Sequence, residues 1–269
     1  MKIWTKILLY ITLSGIALLF VMPFAYSVYY SLLPLQFIDQ LVSIQHFTLA
    51  NYGELFTNYP VIRWLNNTIV NTVLIVVGNV IIDCMAGYAL SRLQFPGRNA
   101  IFIAVLTTMM VPYQFIITPV YIMLAKIGWV DTMWAITVPF LFNALFIFMA
   151  RQFFMSIPKD LEEAARVDGL SRAGIFFRII LPLTKPIITS IVILSFTGTW
   201  NSYLIPATFI STRENFTLVV GLKTVKDLMF ERMNLTLAGV VLLSLPILIV
   251  FLVLQKHFVE GIAATGVKG

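Results

Sequence analysis

Apolar residues gather in six long blocks, residues 7–33, 65–90, 101–125, 132–150, 186–206 and 235–254, and polar or charged residues return between them. At the helical rise each block is long enough to cross, or nearly cross, a hydrocarbon layer of about 30 Å. The predicted fold class is therefore an all-α integral membrane protein with six transmembrane helices, a single transmembrane domain over residues 1–269. Pro112 and Pro119 in the third block free backbone carbonyls that neighbours or a cavity must satisfy, and Pro139 and Asn143 lie inside the fourth block and Pro246 inside the sixth. The first block is too long for a signal h-region and no A-x-A-like site follows it, so it reads as an uncleaved helix with Tyr26, Tyr29 and Tyr30 in the outer aromatic belt.

Between the blocks, residues 34–63 read as an outer loop, Pro96-Gly97 as an inner turn and residues 126–131 as a short outer turn. Residues 207–234, polar with balanced charges, form a second outer loop, and residues 255–269 an inner tail. This topology places Lys2, Lys6, Arg92, Arg98, Arg151, Lys159, Arg166, Arg172, Arg178, Lys185, Lys256 and Lys268 on one side, 12 of the 18 basic residues. That excess predicts a multi-pass protein with both termini in the cytoplasm.

Composition narrows the chemistry. With 59% hydrophobic and 11% charged residues and a mean hydropathy of +0.93, there is no room for a large soluble domain. The net charge of +6 serves topology rather than nucleic acid. Cys84, the one cysteine, excludes an intrachain disulfide and reads as a packing residue. His46 and His257 fall on opposite sides of the membrane, which leaves no metal centre. No phosphate-cradling G-x-x-x-x-G-K-[ST] loop and no G-x-S-x-G elbow is present, so no enzyme site assembles and ATP would be handled elsewhere.

The segment 159–178 is the most informative polar stretch. Pro158 and the acidic Asp160, Glu162 and Glu163 suit a helix start, Gly169 a helix end. Leu161, Ala164, Ala165 and Asp168 share one face by their spacing, with Lys159, Glu162, Glu163 and Arg166 beside or opposite. Ser171 caps a second helix, with Leu170 and Ile175 placed as a hydrophobic staple. On these grounds the segment is either an amphipathic loop resting on headgroups or a docking surface for a partner.

Asp83, the only acidic residue within the apolar blocks, lies about 13 Å inside Arg92 and must face protein or a water-filled cavity. It reads either as an interhelical or partner-subunit hydrogen-bonding group or as a pathway residue. Trp200, Asn201 and Tyr203 suit a sugar path and serve equally as belt anchors.

Glu163, Ala164, Ala165, Gly169, Ile179, Leu181 and Pro182 match at every spacing the EAA signature of membrane subunits of binding-protein-dependent ABC importers. With residues 86–98, 109–139, 199–206 and 255–269, the chain resembles carbohydrate-type ABC importer permeases over nearly its whole length, similar to the shorter membrane subunit of maltose-type importers. The resemblance implies a bacterial cytoplasmic-membrane permease working as a heterodimer with a second permease, two copies of an ATP-binding subunit that hold ATP and Mg, and an extracytoplasmic solute-binding protein. It implies a coupling helix carried by Glu163, Ala164, Ala165, Asp168, Gly169, Ile179, Leu181 and Pro182. A tail of Ala263, Ala264, Thr265, Gly266, Val267, Lys268 and Gly269 would reach the ATPase pair. Candidate lining residues of a sugar path are Asp83, Gln114, Asn143, Asn201 and Tyr203. The rival reading, an ion-coupled secondary transporter, requires a coupling-ion site or inverted repeats, and neither is seen; it predicts uptake that survives ATP depletion.

Overall fold

A computed structural model describes residues 3–38, 40–228 and 232–266, and among them every regular element is helical. Helices long and apolar enough to cross a membrane are α1 (Ile3–Ser31), α3 (Val61–Arg92), α6 (Met133–Ser156) and α12, whose apolar part is Met233–Val253, and two bent pairs bring the possible spans to six. The shorter α2 (Ala50–Asn58) precedes α3.

The third apolar block is not one helix. α4 (Arg98–Thr108) and α5 (Tyr113–Lys126) meet at 100°, because Pro112 takes an extended conformation at the start of α5, where its missing N–H costs nothing. Pro119 is carried inside α5. A second bend, 76°, separates α8 (Arg172–Leu183) from α9 (Lys185–Trp200). Between α6 and α8 lies α7 (Asp160–Val167).

The two stretches read as outer loops carry helices. α2 is pinned where buried Asn51 donates to the carbonyls of Ser31 and Leu33 at 2.7 and 2.9 Å and accepts from Asn234 at 2.7 Å. Beside it, Arg232 pairs with Glu54. α10 (Leu204–Phe209) and α11 (Leu218–Leu228) follow α9, and Trp64 supports the loop between them by donating to the Arg213 carbonyl at 2.7 Å. The stretch read as a tail continues α12, which runs from Met233 to Gly266; Val267, Lys268 and Gly269 lie outside the described residues.

α3 is the central strut, packing on α6 and α9, while α9 packs on α12 and α12 on α1. α3 and α6 approach closely at Gly87, where a Cβ would sit 2.7 Å from the Ala150 Cβ and 2.9 Å from the Arg151 amide nitrogen. Small residues at this crossing bring the backbones of α3 and α6 together. Two apolar clusters lie at opposite ends of α3. Cys84, Tyr88, Phe154, Ala165, Ile175 and Phe176 join α3, α6, α7 and α8 at one end. At the other, Val61, Trp64, Trp200, Leu218 and Leu235 join α3, α9, α11 and α12.

Candidate functional site: a polar cavity and a clamped surface helix

Three polar side chains of α3, Asn71, Asn79 and Asp83, form a ladder toward α6. Each holds the break that Pro139 makes in α6. Asn71 accepts from the Thr137 hydroxyl at 2.8 Å, Asn79 donates to the Phe140 carbonyl at 3.0 Å, and the Asp83 carboxylate accepts from the Asn143 amide at 3.1 and 3.2 Å. Asn143 in turn caps the resumed helix, its side-chain oxygen accepting from the Leu145 amide at 2.9 Å. From α9, Ser195 donates to Asn79 at 2.7 Å. α3 itself widens to i→i+5 bonding over Asn79–Asp83, a bulge of the kind that recurs at functional sites.

A cavity of about 200 Å³ opens between α3, α6 and α9, with Asn71, Asn79, Asn143, Ser195, Thr199 and Ser202 as its polar lining and no charged side chain. Amides and hydroxyls without net charge suit an uncharged, hydroxyl-rich solute. Of the five residues expected on a solute path, Asn143 alone lines this cavity. Asp83 is fully buried behind it, occupied by the Asn143 amide. Gln114 is exposed on α5, Asn201 bonds back to the Thr197 carbonyl at 3.0 Å, and half-exposed Tyr203 has the Lys223 ammonium 5.7 Å from its ring. Trp200 is neither a path residue nor a belt anchor. It is a core residue, 2% exposed, stacked on Phe196 and donating to the Leu243 carbonyl at 2.9 Å.

At the other end of α3, two arginines hold α3 and α6 reciprocally. Arg92 donates to the Phe154 carbonyl, which also accepts from the Ile157 amide at 3.2 Å, and to the Ile157 carbonyl just past the end of α6, and Arg151 donates to the Leu90 carbonyl of α3 at 3.2 Å while lying 3.9 Å over the Phe102 ring. Arg92 also faces Glu162 of α7 at 3.0 Å, Nε to Oε1, with both side chains nearly withdrawn from solvent. The Tyr88 hydroxyl donates to the second oxygen of Glu162 at 3.3 Å. Sequence reading assigned Arg92 and Arg151 only to topology and set Glu162 on the rim of α7. The signal available was the place of Arg92 in the last turn of α3, where helix ends need donors.

α7 closes with a positive-φ glycine. Gly169, at φ +83°, donates to the Arg166 carbonyl and Leu170 to the Ala165 carbonyl, both at 3.0 Å, the paired bonds of a Schellman cap. Ser171 then caps α8, accepting from the Gly174 amide at 3.2 Å, and Leu170 and Ile175 both enter the apolar cluster below. Within α7, Glu162 and Ala165 face inward, whereas Leu161, Glu163, Ala164, Val167 and Asp168 are exposed. The free surface thus centres on Glu163, Ala164 and Val167, with Ala165 inside the chain's own core. Further along, Ile179 packs against that core with Leu181, and Pro182 sits in the first turn of the helix continuing from the bulge over Phe176–Ile180. Ala264, Thr265 and Gly266 belong to the end of α12.

Comparison with known proteins fits this arrangement. The chain is 34% identical over 223 residues to the arabinooligosaccharides transport system permease protein AraQ of Halalkalibacterium halodurans, covering 82% of this chain and 80% of that one. It is 32% identical over 225 residues to the maltodextrin transport system permease protein MdxG of Bacillus subtilis, covering 82% and 81%. Its fold aligns with TM-score 0.82 and 26% identity to a chain in the crystal structure of a bacterial ABC transporter involved in the import of the acidic polysaccharide alginate, over 94% of this chain and 96% of that one. Residues 84–263 match the family described as the binding-protein-dependent transport system inner membrane component. That match spans the Arg92 end of α3 from Cys84, the clamped surface helix and most of α12, and the chain belongs to this family of multi-pass ABC importer permeases.

Proposed function

We propose that this chain is a membrane-spanning permease subunit of an ATP-driven importer for a sugar or sugar-like solute, with six spans once each bent pair counts as one. The relatives named for arabinooligosaccharide and maltodextrin transport support the substrate class. The cavity, which sets uncharged amide and hydroxyl side chains among aromatic and aliphatic ones, supports it as well. A second permease, two ATP-binding subunits carrying ATP and Mg, and an extracytoplasmic binding protein complete the machine. Both termini then lie on the ATPase side, and the segment ending Ala264, Thr265, Gly266, Val267, Lys268 and Gly269 approaches the ATPase pair.

The single observation that carries the coupling role is the position of α7. Its exposed face is free for a partner, while its buried face is tied to α3 and α6 through Glu162, Arg92 and the Ala165 cluster. ATP can drive transport only if it favours one permease arrangement over another through differential contact. Closure of an ATPase pair gripping Glu163, Ala164, Asp168 and Gly169 would move α7 with α3 and α6 as one body, because packed elements rotate rather than deform. The cavity between α3, α6 and α9 would change its access accordingly.

The test is purification of this chain from its native membrane in mild detergent, with mass spectrometry of what accompanies it. Recovery of a second permease and an ATPase is expected. Recovery of the intact chain alone, with uptake that survives ATP depletion and collapses with an ion gradient, would overturn the reading in favour of a secondary transporter.

A further inference from the structure

We propose that the chain binds one anionic phospholipid at the junction of α3, α7 and α8. Two contiguous features make the site. The first is a polar cavity of about 220 Å³ lined by Tyr88, Arg92, Gln94, Glu162, Arg166 and Arg172, three arginines against one glutamate. The second is an apolar groove of about 260 Å³ lined by Met85, Ala89, Ala173, Phe176 and Phe177, and it shares Tyr88, Leu93 and Arg172 with the first. A charged chamber that opens along one wall into an apolar groove has the two halves of an amphiphile.

The charges leave room for an anion. Glu162 is neutralised by Arg92 at 3.0 Å, and Arg92 is itself consumed by that carboxylate and by the Phe154 and Ile157 carbonyls. Arg166 and Arg172 are exposed and engage no ion pair or hydrogen bond among the described residues. Basic pockets at the ends of membrane helices recruit anionic headgroups at about 1 kcal/mol per arginine.

The depth of the site selects a lipid over a soluble anion. α3 runs 32 residues from Val61 to Arg92, about 48 Å, so when centred on a hydrocarbon layer of about 30 Å its Arg92 end reaches roughly 9 Å past the layer, which puts the polar cavity at headgroup level. Met85 is seven residues earlier, about 10 Å along the helix, where an acyl chain would lie. Phe177 is 57% exposed and Met85 52%, an apolar surface a lipid chain would cover. The site also leaves the proposed ATPase-docking face free, because Glu162 and Arg166 point into the cavity from the side of α7 opposite Ala164. A bound lipid would bridge α7 to α8 and brace the surface helix against the membrane.

The experiment is native mass spectrometry of the protein, alone or with whatever subunits accompany it, after delipidation and titration with palmitoyl-oleoyl phosphatidylglycerol. Palmitoyl-oleoyl phosphatidylcholine and inorganic phosphate serve as competitors. One phosphatidylglycerol per copy is expected, with binding about thirtyfold weaker in Arg166→Gln/Arg172→Gln, at about fivefold per arginine. Arg166→Lys/Arg172→Lys should keep the lipid. Ala89→Trp, which fills the groove without touching charge, should lose it. Equal binding of phosphatidylcholine, an unaffected glutamine variant, or full displacement by inorganic phosphate would each overturn the proposal. The readout is lipid mass on the protein, so it is independent of whether the chain transports a sugar.

Discussion

Asp83 shows how a single buried carboxylate can be structural. It is fully buried, and both its oxygens meet the Asn143 amide at the point where α6 resumes after Pro139. A buried amide stripped of its acceptor costs about 1–3 kcal/mol, whereas an asparagine at position 83 still offers one carbonyl oxygen of similar reach. Asp83→Leu should therefore lower the melting temperature of the purified protein clearly, and Asp83→Asn should do so much less. Equal and small shifts for the two would remove the residue from its place in the α6 break. The depth of Asp83 within an apolar block already required it to face protein or a cavity. Which of the two could not be read from the sequence, because the partner is a backbone amide sixty residues away, freed by a proline rather than marked by any side chain. Asn71 and Asn79 share that obscurity. Their four- and eight-residue spacing along α3 is visible in retrospect, yet only the fold places Thr137, Phe140 and Ser195 opposite them.

Among the elements, α7 is where sequence and structure agree most closely and then part. The glycine at its end, the serine cap of α8 and the staple of Leu170 with Ile175 follow from local rules, and local rules are what a sequence expresses well. The buried face differs, because helical spacing alone cannot say which side meets the protein. Glu162 would look solvent-facing beside Glu163, but Arg92 turns it inward. The consequence is measurable. Arg92→Ala leaves Glu162 buried without its counter-charge, which typically costs about 3–5 kcal/mol, while replacing both members with apolar residues removes the uncompensated charge. Arg92→Met/Glu162→Leu should recover part of the stability lost in Arg92→Ala. Recovery would be incomplete, since the Ile157 carbonyl still loses the Arg92 donor and the Phe154 carbonyl keeps only the Ile157 amide. A double variant as unstable as the single one, read by thermal unfolding in detergent, would mean that the pair does not fasten α7 to α3.

Across the whole molecule, the six apolar blocks sort into α1, α3, α6, α12 and two bent pairs, and the departures occur where backbone breaks rather than hydrophobicity decide direction. A window of apolar residues reads straight through Pro112, so the 100° turn at that position is invisible to it. The outer-loop stretches hid α2, α10 and α11 for a related reason: these helices are short and draw their stability from hydrogen bonds and packing contributed by distant spans. The turn between α5 and α6 is the sharpest case. Asp131 adopts φ +63°, donates its amide to the Phe209 carbonyl at 2.8 Å, and accepts from the Ser211 and Thr212 amides, each at 2.9 Å, and from the Thr212 hydroxyl. One side chain thus joins two segments eighty residues apart.

Desolvation by itself raises the pKa of Asp131, but the Thr212 hydroxyl and the Thr212 and Ser211 amides outweigh it and hold the pKa below the ordinary 3.8. A carboxylate with a depressed folded-state pKa contributes stability that is complete above the unfolded value and lost as pH falls through the folded one. The difference in melting temperature between the native protein and Asp131→Asn should therefore be constant at neutral pH and shrink below about pH 4. Asparagine is the right replacement because it tolerates the left-handed conformation and keeps one acceptor, so the comparison isolates the charge. A difference that stays unchanged down to pH 3 would mean that the turn is held by its backbone geometry, and that the carboxylate is not what closes this end of the bundle.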